Sequence, residues 1–350
     1  MKKGFYNYQL PSATNMKIFN LYIGYDLYGG AEKVAVNIHN ALRGHGLESY
    51  LVGLNTPSKN HAEYKIKEKE YVQLNLKNIW LFRKAIVFSH HRKLTTLLVI
   101  INKLLRLKMR IIHIAHNEFY NLKYATLLPD EIVAVSERVK QNLIDVFKVD
   151  PNKIKIIYNG LIDEAGFASH KNGVEKPSGK ISILYPGRIT NVKRQVEVVK
   201  NMKGKLKEGV VIHFAGVGEE SDKLNALIEK SDTFKSLGFV SIPERLPLYD
   251  YVMLFSSKEG LPLTLIEACM FSKPIICNDV GGNAEVVRNG YNGFIRSDFD
   301  ELAELCNSLP VADHDEYKKM TSNSREVFKD KFQMEKMVNN YINLIRNANS

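Results

Sequence analysis

The sequence has few cysteines, one tryptophan and no long apolar run. Cys269, Cys277 and Cys306 lack the spacing of a metal site, and an odd, sparse set argues against a disulfide framework and favours a reducing compartment. No apolar run approaches the roughly 18 residues of a membrane-spanning helix, so none is expected. The basic start, residues 1–3, is not followed by an apolar segment, which argues against a secretory signal. These absences predict a cytoplasmic protein with cysteines in its core.

Positive charge is concentrated in the first half of the chain. The net charge is +11 over 350 residues, and residues 1–165 hold 24 Lys and Arg against 14 Asp and Glu. Residues 166–350 hold 25 against 24. A basic half predicts an anionic partner, which could be phosphate-bearing lipid, a membrane surface or nucleic acid. The chain lacks the aromatic-rich basic stripe typical of RNA-binding proteins, so nucleic acid is not expected.

Short β-rich runs alternate with amphipathic stretches, which predicts parallel α/β sheets. The length suits two domains of roughly 150 residues each. Residues 164–180 are rich in Gly, Ser, Lys and Pro and are typical of a linker. We therefore expect two doubly wound domains, residues 1–165 and 166–330, followed by a helix in 331–350 that crosses back to the first. The strand-like runs are 17–24, 49–54, 85–90, 110–116, 131–136, 154–160, 180–188, 210–216, 235–239, 251–257 and 273–279.

The start of the first domain has two interpretations. The first strand-like run follows Met16, so either Met1 or Met16 is the functional start, and residues 1–15 are an extension in the second case.

In open parallel sheets, ligands bind beyond the carboxyl ends of the strands. Functional residues are therefore expected in the loops that follow the strands, in a cleft between the two domains.

The segment 255–270, FSSKEGLPLTLIEACM, carries the most specific pattern. A strand ends near Ser257, Glu259 and Gly260 form a turn, and Pro262 suits the first position of a buried helix because it needs no amide donor there. The free amides of a helix start, together with the helix dipole, bind phosphate or pyrophosphate. Beside such a site, Glu259 can accept hydrogen bonds from sugar hydroxyls, and Glu267 can reach a vicinal diol such as that of ribose.

A second pattern, YPGRITNVKR, follows the strand that opens the second half. Gly187 allows a tight turn at the strand end. Arg188 and Lys193 would then neutralise a pyrophosphate, the first as a planar fork and the second as a mobile point charge. Arg194 could replace Lys193 if the register were shifted by one residue.

Signals in the first domain are weaker. Gly29 and Gly30 follow the first strand and either form a plain strand–helix turn or let backbone amides approach a ligand closely. His116 ends another strand, whereas His113, deeper in that strand, is expected to pack in the core. Residues 92–110 are either a core helix with a solvated basic face or a surface for anionic lipid headgroups.

The segment AGVGEES, residues 215–221, suggests a dinucleotide-binding loop only weakly. Ser221 stands where the third glycine of that fingerprint belongs, and no acidic residue follows at the expected place.

The two glutamates separated by seven residues, Glu259 and Glu267, and the spacing from Gly187-Arg188 to Lys193 resemble glycosyltransferase family 4. The resemblance runs from Gly29-Gly30 to about Gly293. It implies a GT-B fold, in which two Rossmann-like domains face each other across a cleft, with retention of anomeric configuration, no metal and no cofactor. By the same resemblance, Ser136, Asn159 and Glu285 match family landmarks, although Asn283-Ala284 replaces the more usual apolar-Pro pair before Glu285.

The resemblance also assigns roles to single residues. Glu259, Arg188, Lys193 and His116 would be catalytic, with His116 near the donor sugar and acceptor, and Gly29 and Gly30 near the diphosphate and acceptor. The nucleotide sugar would be bound by Gly187, Arg188, Lys193, Val240, Glu259, Gly260, Leu261, Pro262, Leu263, Thr264 and Glu267.

These patterns predict a retaining glycosyltransferase. The expected donor is a nucleotide-diphosphate sugar, UDP-linked, and the expected acceptor is a glycan or lipid-linked saccharide of the cell surface. The basic first domain would meet an anionic membrane from the cytoplasmic side. Two other interpretations stay open, namely a nucleotide-sugar epimerase with a similar fold and a non-catalytic basic nucleotide or nucleic-acid binder.

Overall fold

A computed structural model describes residues 16–27, 29–165 and 181–347. The chain divides into two compact units. The first contains the described residues up to His113 together with Leu127–Asp130, and the second contains Ile114–Thr126 and the described residues from Glu131 onward. The expected extension, residues 1–15, and nearly all of the expected linker, residues 164–180, lie outside the described residues.

The first unit is a parallel sheet with strand order β3-β2-β1-β4-β5, in which β5 continues past His113 into the second unit. Four of these strands match predicted runs, whereas β3 is only three residues long and was not predicted. The strands are β1 (Ile18–Leu21), β2 (Ser49–Gly53), β3 (Tyr71–Gln73), β4 (Ile86–Ser89) and β5 (Arg110–Ala115), and the helices are α1 (Gly30–Gly44) and α2 (Arg92–Leu104).

The stretch 92–110 is only partly the predicted helix, because α2 ends at Leu104. The Asn102 side chain bonds both the amide and the carbonyl of Met109, at 2.9 and 3.0 Å, and so closes a tight turn before β5. Arg106 and Lys108 adopt left-handed backbone angles within that turn. The basic residues after α2 are therefore displayed on a turn rather than on a helix face.

The second unit begins with two parallel strands, β6 (Glu131–Ala134) and β7 (Ile154–Ile156), which flank α3 (Glu137–Phe147). Its larger sheet has the order β10-β9-β8-β11-β12-β13, the 3-2-1-4-5-6 order of doubly wound folds. Its strands are β8 (Ile181–Pro186), β9 (Val210–Ala215), β10 (Phe234–Ser236), β11 (Tyr251–Leu254), β12 (Ile275–Cys277) and β13 (Gly293–Ile295). The remaining helices are α4 (Gln195–Met202), α5 (Ser221–Ile228), α6 (Ile242–Arg245), α7 (Leu263–Met270), α8 (Asn283–Val286), α9 (Phe299–Ser308), α10 (Asp315–Lys331) and α11 (Met334–Arg346).

Short 3-10 turns complete the described secondary structure. They are Pro57–Lys59, Ala62–Tyr64, Glu68–Glu70, Ile79–Phe82, Lys123–Ala125, Pro151–Lys153 and Leu246–Leu248.

The core of the second unit lies on both faces of its central strands. Every residue of β8, β11 and β12 is buried, which explains their near-continuous apolar sequences, since parallel strands are covered on both sides. Cys269, Cys277 and Cys306 are buried as predicted, and burial raises the pKa of the Cys269 and Cys306 thiols to about 12. None of the described helices is long and apolar enough to cross a bilayer.

The predicted helix at the chain end is α11, and its start packs on residues 158–161. Leu161 forms a bridge with Gln333, and the Gly160 amide lies 3.2 Å from the Met337 sulfur. A Cβ at Gly160 would lie 2.8 Å from the Gln333 carbonyl oxygen, so the close approach requires glycine. The end of the chain thus returns to the last residues of the first half of the sequence.

Candidate active site

The turn between β11 and α7 presents a helix start beside a buried carboxylate. Pro262 has φ −71° and ψ 121°, and its carbonyl accepts hydrogen bonds from the amides of Leu265 at 3.2 Å and Ile266 at 3.4 Å. The sequence predicts Pro262 as the first helical residue. In the structure the helix begins one residue later, at Leu263, and Pro262 is the residue before it. The shift arises because its extended ψ angle keeps it outside the helix while its carbonyl already serves the helix.

Backbone donors remain at this helix start. Among the described residues, the amides of Leu263 and Thr264 have no hydrogen-bond acceptor. Such first-turn amides, aligned with the positive end of the helix dipole, suit an anionic ligand. Glu259 is 7% exposed and lies at the start of the same turn, and Glu267, also 7% exposed, lies on α7.

Lys193 meets Glu259 in this site. The Lys193 Nζ lies 2.6 Å from the Glu259 Oε1, and the two side chains are only 21% and 9% exposed. The lysine chain passes over Gly187, where a Cβ would lie 3.7 Å from the Lys193 Cε and where φ is 142°. The structure therefore brings together Gly187, Lys193 and Glu259, which the sequence patterns singled out in the loops after two separate strands.

The loop that carries Lys193 is fastened to the neighbouring strand. The Tyr185 hydroxyl donates to the Lys193 carbonyl and accepts from the Phe255 amide at 2.9 Å, and burial raises the pKa of Tyr185. The Ser257 amide donates to the Val192 carbonyl at 2.8 Å. These bonds hold the ends of β8 and β11 in register, so the lysine and the carboxylate are presented together.

The other two basic residues of this loop differ from Lys193. The Arg188 side chain is exposed and has no ion pair among the described residues, while its carbonyl accepts from Gln195 Nε2 at 3.0 Å. Arg194 lies over the Phe299 ring, 4.6 Å from its centroid, and pairs with Glu197 at 2.9 Å. Arg194 therefore does not replace Lys193, whereas Arg188 has a guanidinium available to a ligand.

Gly260 packs directly on the end of β5. A Cβ at Gly260 would lie 1.6 Å from the His116 carbonyl oxygen, so only glycine fits there. The half-buried His116 is thereby placed beside the α7 turn. Asn159, buried after β7, donates from Nδ2 to the Leu261 carbonyl at 3.1 Å. The matched landmarks His116 and Asn159 thus both contact the turn that carries Glu259.

The Gly281–Gly282 turn packs on the other side of the same segment. The Gly282 amide donates to the Gly260 carbonyl at 2.6 Å. Glu285, which follows, accepts from the amides of Glu137 and Arg138 at 2.9 and 3.2 Å. Sequence reasoning matched Glu285 to a family landmark but did not predict that its carboxylate caps α3, because nothing local to either segment signals a contact between residues about 150 positions apart.

The remaining predicted residues occupy strand-end loops. Val240 is half-buried in the loop after β10, where the Gly238 carbonyl accepts from the Gly216 amide at 2.8 Å. In the first unit, Gly29 immediately precedes α1 and its amide donates to the Tyr64 hydroxyl at 3.0 Å, while Gly30 is the first helical residue. The glycine pair therefore forms a strand–helix turn at the carboxyl end of β1.

His113 is a packing residue, as the sequence predicts. It is 2% exposed, and its Nδ1 lies 2.8 Å from Thr95 Oγ1 and 3.1 Å from the Ser89 carbonyl oxygen. Burial lowers the pKa of His113 to about 4, so the imidazole is neutral at physiological pH.

The glycines of residues 215–221 serve packing between loops. A Cβ at Gly216 would lie 2.1 Å from the Gly187 carbonyl oxygen, and one at Gly218 would lie 2.3 Å from the Ile189 carbonyl oxygen. The loops after β8 and β9 can approach each other only because both positions are glycine. Packing between these two loops therefore explains both glycines of the imperfect fingerprint, and no bound dinucleotide is needed to explain them.

Two Asp-x-Asp triplets, residues 298–300 and 313–315, lie at helix starts. Asp298 accepts from the amides of Asp300 and Glu301, both at 2.9 Å, and Asp315 lies in the first turn of α10.

A separate polar cavity of about 730 Å³ lies beside α10. It is lined by Ser272, Thr321, Ser322, Arg325, Glu326, Lys329, Asp330 and Lys336, and contains none of the predicted site residues.

Comparison with known proteins identifies the family of the chain. The family described as Glycosyltransferase Family 4 matches residues 28–164, and the family described as Glycosyl transferases group 1 matches residues 167–327. The amylovoran biosynthesis glycosyltransferase AmsD of Erwinia amylovora is 24% identical over 310 residues, which cover 79% of this chain and 85% of AmsD. The O-antigen biosynthesis glycosyltransferase WbnH of Escherichia coli is 29% identical over 173 residues, about half the length of either protein.

A solved structure has the same fold. The Anabaena protein Alr3699/HepE in complex with UDP-glucose superposes with a TM-score of 0.77 at 17% identity, covering 94% of this chain and 99% of that one. The two family matches together span most of the sequence, one over each expected half. The chain belongs to the group 1 glycosyltransferases and has their two-domain, Rossmann-like GT-B fold.

Proposed function

We propose that this glycosyltransferase retains anomeric configuration and transfers a sugar from a UDP-sugar to a glycan or lipid-linked acceptor in cell-surface polysaccharide synthesis, without a metal. The observation that carries the proposal is the Lys193–Glu259 pair beside the free amides of α7. The biosynthetic names of AmsD and WbnH support the polysaccharide product, and the UDP-glucose bound to HepE supports the donor.

In this proposal the diphosphate lies on the α7 helix start. The amides of Leu263 and Thr264 donate to its oxygens, and Lys193 and Arg188 neutralise the charge that grows as the bond to the sugar breaks. Donors placed where charge develops are typically worth about 3–4 kcal/mol each in the transition state. The two cations thereby take the role that a divalent ion would otherwise have.

Glu259 orients the sugar by accepting hydrogen bonds from its hydroxyls. The bond between the anomeric carbon and the phosphate oxygen breaks, and the acceptor oxygen bonds to that carbon from the same face. The acceptor proton passes to the departing phosphate oxygen, so charge and atoms balance and the configuration is retained. His116, beside Gly260, would lie near the donor sugar and the acceptor, and Glu267 and Val240 would contact the ribose and the base.

The test compares two ion pairs of the same length. Lys193→Ala removes the cation of the proposed site, and Lys205→Ala removes one from an exposed pair with Asp300, also 2.6 Å long. Lys193→Ala should lower transfer by about 100-fold to 1,000-fold, and Lys205→Ala should leave it unchanged, as measured by transfer from UDP-glucose and related donors. Glu259→Ala should likewise abolish transfer while UDP binding persists, because the amides and Arg188 remain.

Transfer at wild-type rates in both Lys193→Ala and Glu259→Ala would rule out the proposed roles. The same donors incubated without acceptor and followed by NMR test the alternative epimerase, which would isomerise the sugar.

The proposal places the protein on an anionic membrane at the cytoplasmic face. On α2, Leu97, Ile100 and Leu104 are 47%, 41% and 74% exposed, and their spacing puts them on one side of the helix. Lys103 and Arg106 are exposed beside them. An apolar stripe with basic neighbours suits anionic headgroups, and this set of five residues is here called the α2 patch.

A further inference from the structure

The Glu285 carboxylate occupies the N-terminal end of α3. Its Oε2 accepts from the Glu137 amide at 2.9 Å, and its Oε1 accepts from the Arg138 amide at 3.2 Å. Both amides belong to the first turn of an 11-residue helix and lack partners within it. An anion at this end also interacts favourably with the helix dipole. Glu285 is therefore a carboxylate cap supplied from outside the helix that it caps.

The turn that leads to Glu285 rests on the backbone of the α7 entry. A Cβ at Gly281, where φ is 55°, would lie 2.2 Å from the Glu259 carbonyl oxygen. A Cβ at Gly282 would lie 2.5 Å from the Gly260 carbonyl oxygen, which accepts from the Gly282 amide at 2.6 Å. The position of this turn therefore constrains the backbone of the residue whose carboxylate meets Lys193.

Two further groups lie at the turn. Burial together with the nearby Glu285 charge raises the pKa of Tyr158 to about 12, so the phenol stays protonated at neutral pH. Before the turn, Asp279 Oδ1 lies 3.9 Å from Arg138 Nη2, on the helix that Glu285 caps. The segment 279–285 is thus attached to the start of α3 at both of its ends.

From this chain of contacts we propose that Glu285 is a positioning residue for the donor sugar. It touches no substrate, and acts through Gly281 and Gly282 on Glu259. The role rests on the proposed function of Glu259. Loss of the cap would let the Glu259 carboxylate shift relative to the amides of Leu263 and Thr264, so the diphosphate would still bind while the sugar would be misaligned.

The test pairs Glu285→Gln with Asp298→Asn. Asp298 also accepts from two first-turn amides, but on α9, so its variant likewise removes a negative charge at a helix start without touching the α7 entry. Because misalignment of reacting groups costs up to about 100-fold, Glu285→Gln should lower kcat by about 10-fold to 100-fold, with UDP affinity near the wild-type value. Glu285→Asp, which keeps the charge, should recover part of the loss, and Asp298→Asn should keep wild-type kcat.

A measurement without substrate separates this role from the proposed function. Amide hydrogen exchange of the peptide covering residues 256–264 should be faster in Glu285→Gln and unchanged in Asp298→Asn. Wild-type kcat in Glu285→Gln, equal losses in the two variants, or unchanged exchange would overturn the positioning role. If the wild-type protein transfers no sugar from any donor, the proposed function fails, and the exchange comparison alone decides whether Glu285 holds the turn.

Discussion

At the scale of single residues, the site depends on close backbone approaches as much as on charged groups. Gly260 is the clearest case, because the His116 carbonyl oxygen lies where a Cβ would be. No side chain fits at this position, because the atom in the way belongs to the backbone and not to a flexible side chain. Gly187 differs, since the space above it is filled by the Lys193 side chain at ordinary contact distance.

Gly260→Ala is therefore expected to destabilise the second unit. Forcing a methyl group into a packed site costs about 1–3 kcal/mol, and the shift would displace either the α7 entry or the end of β5. Gly44→Ala is the matched control, since no atom lies within 4 Å of its Cβ and the residue is in α1. Thermal unfolding should show a lower Tm for Gly260→Ala and an unchanged or slightly higher Tm for Gly44→Ala, and equal values would contradict the packing argument.

Much of the site was predictable from residue type and spacing. The two glutamates, Lys193 and Arg188 carry chemistry that phosphate and sugar require, and they follow predicted strands. Glu285 and Asn159 are different, because their roles come from contacts with residues more than 100 positions away. Such contacts leave no local periodicity or spacing in the sequence, so only the structure reveals them.

At the scale of elements, one hydroxyl group links the ends of β8 and β11, alongside the bond from the Ser257 amide to the Val192 carbonyl. Tyr185 Oη serves both the Lys193 carbonyl and the Phe255 amide, and all of these groups are buried or partly buried. The predicted strands agree well with the structure here, since both are long apolar runs. The short strands β3 and β13 were not predicted because they lie outside any longer apolar run, whereas the equally short β7, β10 and β12 overlap such runs.

Tyr185→Phe should weaken donor binding more than its loss of stability suggests. Leaving a buried amide without a partner costs about 1–3 kcal/mol, and the freed loop carries Lys193. Tyr251→Phe is the control, because its hydroxyl donates to the Pro310 carbonyl at 2.7 Å, and its loss leaves the β8–β11 connection intact. Both variants should lower Tm, but only Tyr185→Phe should raise the Kd for UDP in calorimetry. A similar Kd in both would show that the hydroxyl does not position the loop.

At the scale of the whole molecule, charge is divided unequally between the two halves of the sequence. Residues 1–165 carry nearly all of the excess of Lys and Arg, and the α2 patch combines some of that charge with exposed apolar side chains. Charge alone would favour any polyanion, whereas the apolar stripe favours a surface into which leucine side chains can insert. An anionic bilayer satisfies both.

The double variant Lys103→Gln with Arg106→Gln should weaken binding to vesicles that contain 30% phosphatidylglycerol. Each basic residue near such a surface contributes about 1 kcal/mol, so the loss should be on the order of ten-fold or more in vesicle sedimentation. Lys318→Gln with Lys319→Gln, on α10, removes the same charge from the second unit and should have little effect. Leu104→Ser should also weaken binding, including in 0.5 M salt, where the electrostatic part is screened. Equal binding by all variants would exclude the patch.

Residues 114–126 and 131–164 belong to the same compact unit as residues 181–347, which has a practical consequence for expressing parts of the protein. The two family matches meet near residue 165, which invites expression of the second match as an isolated fragment. Such a fragment would lack the His116 carbonyl, the Asn159 amide and the helix end that neutralises Glu285, and would expose that carboxylate and the Gly260 edge to water. A truncated protein that failed to bind nucleotide would therefore say nothing against the proposed site at the start of α7, and ligand-binding work requires the full chain.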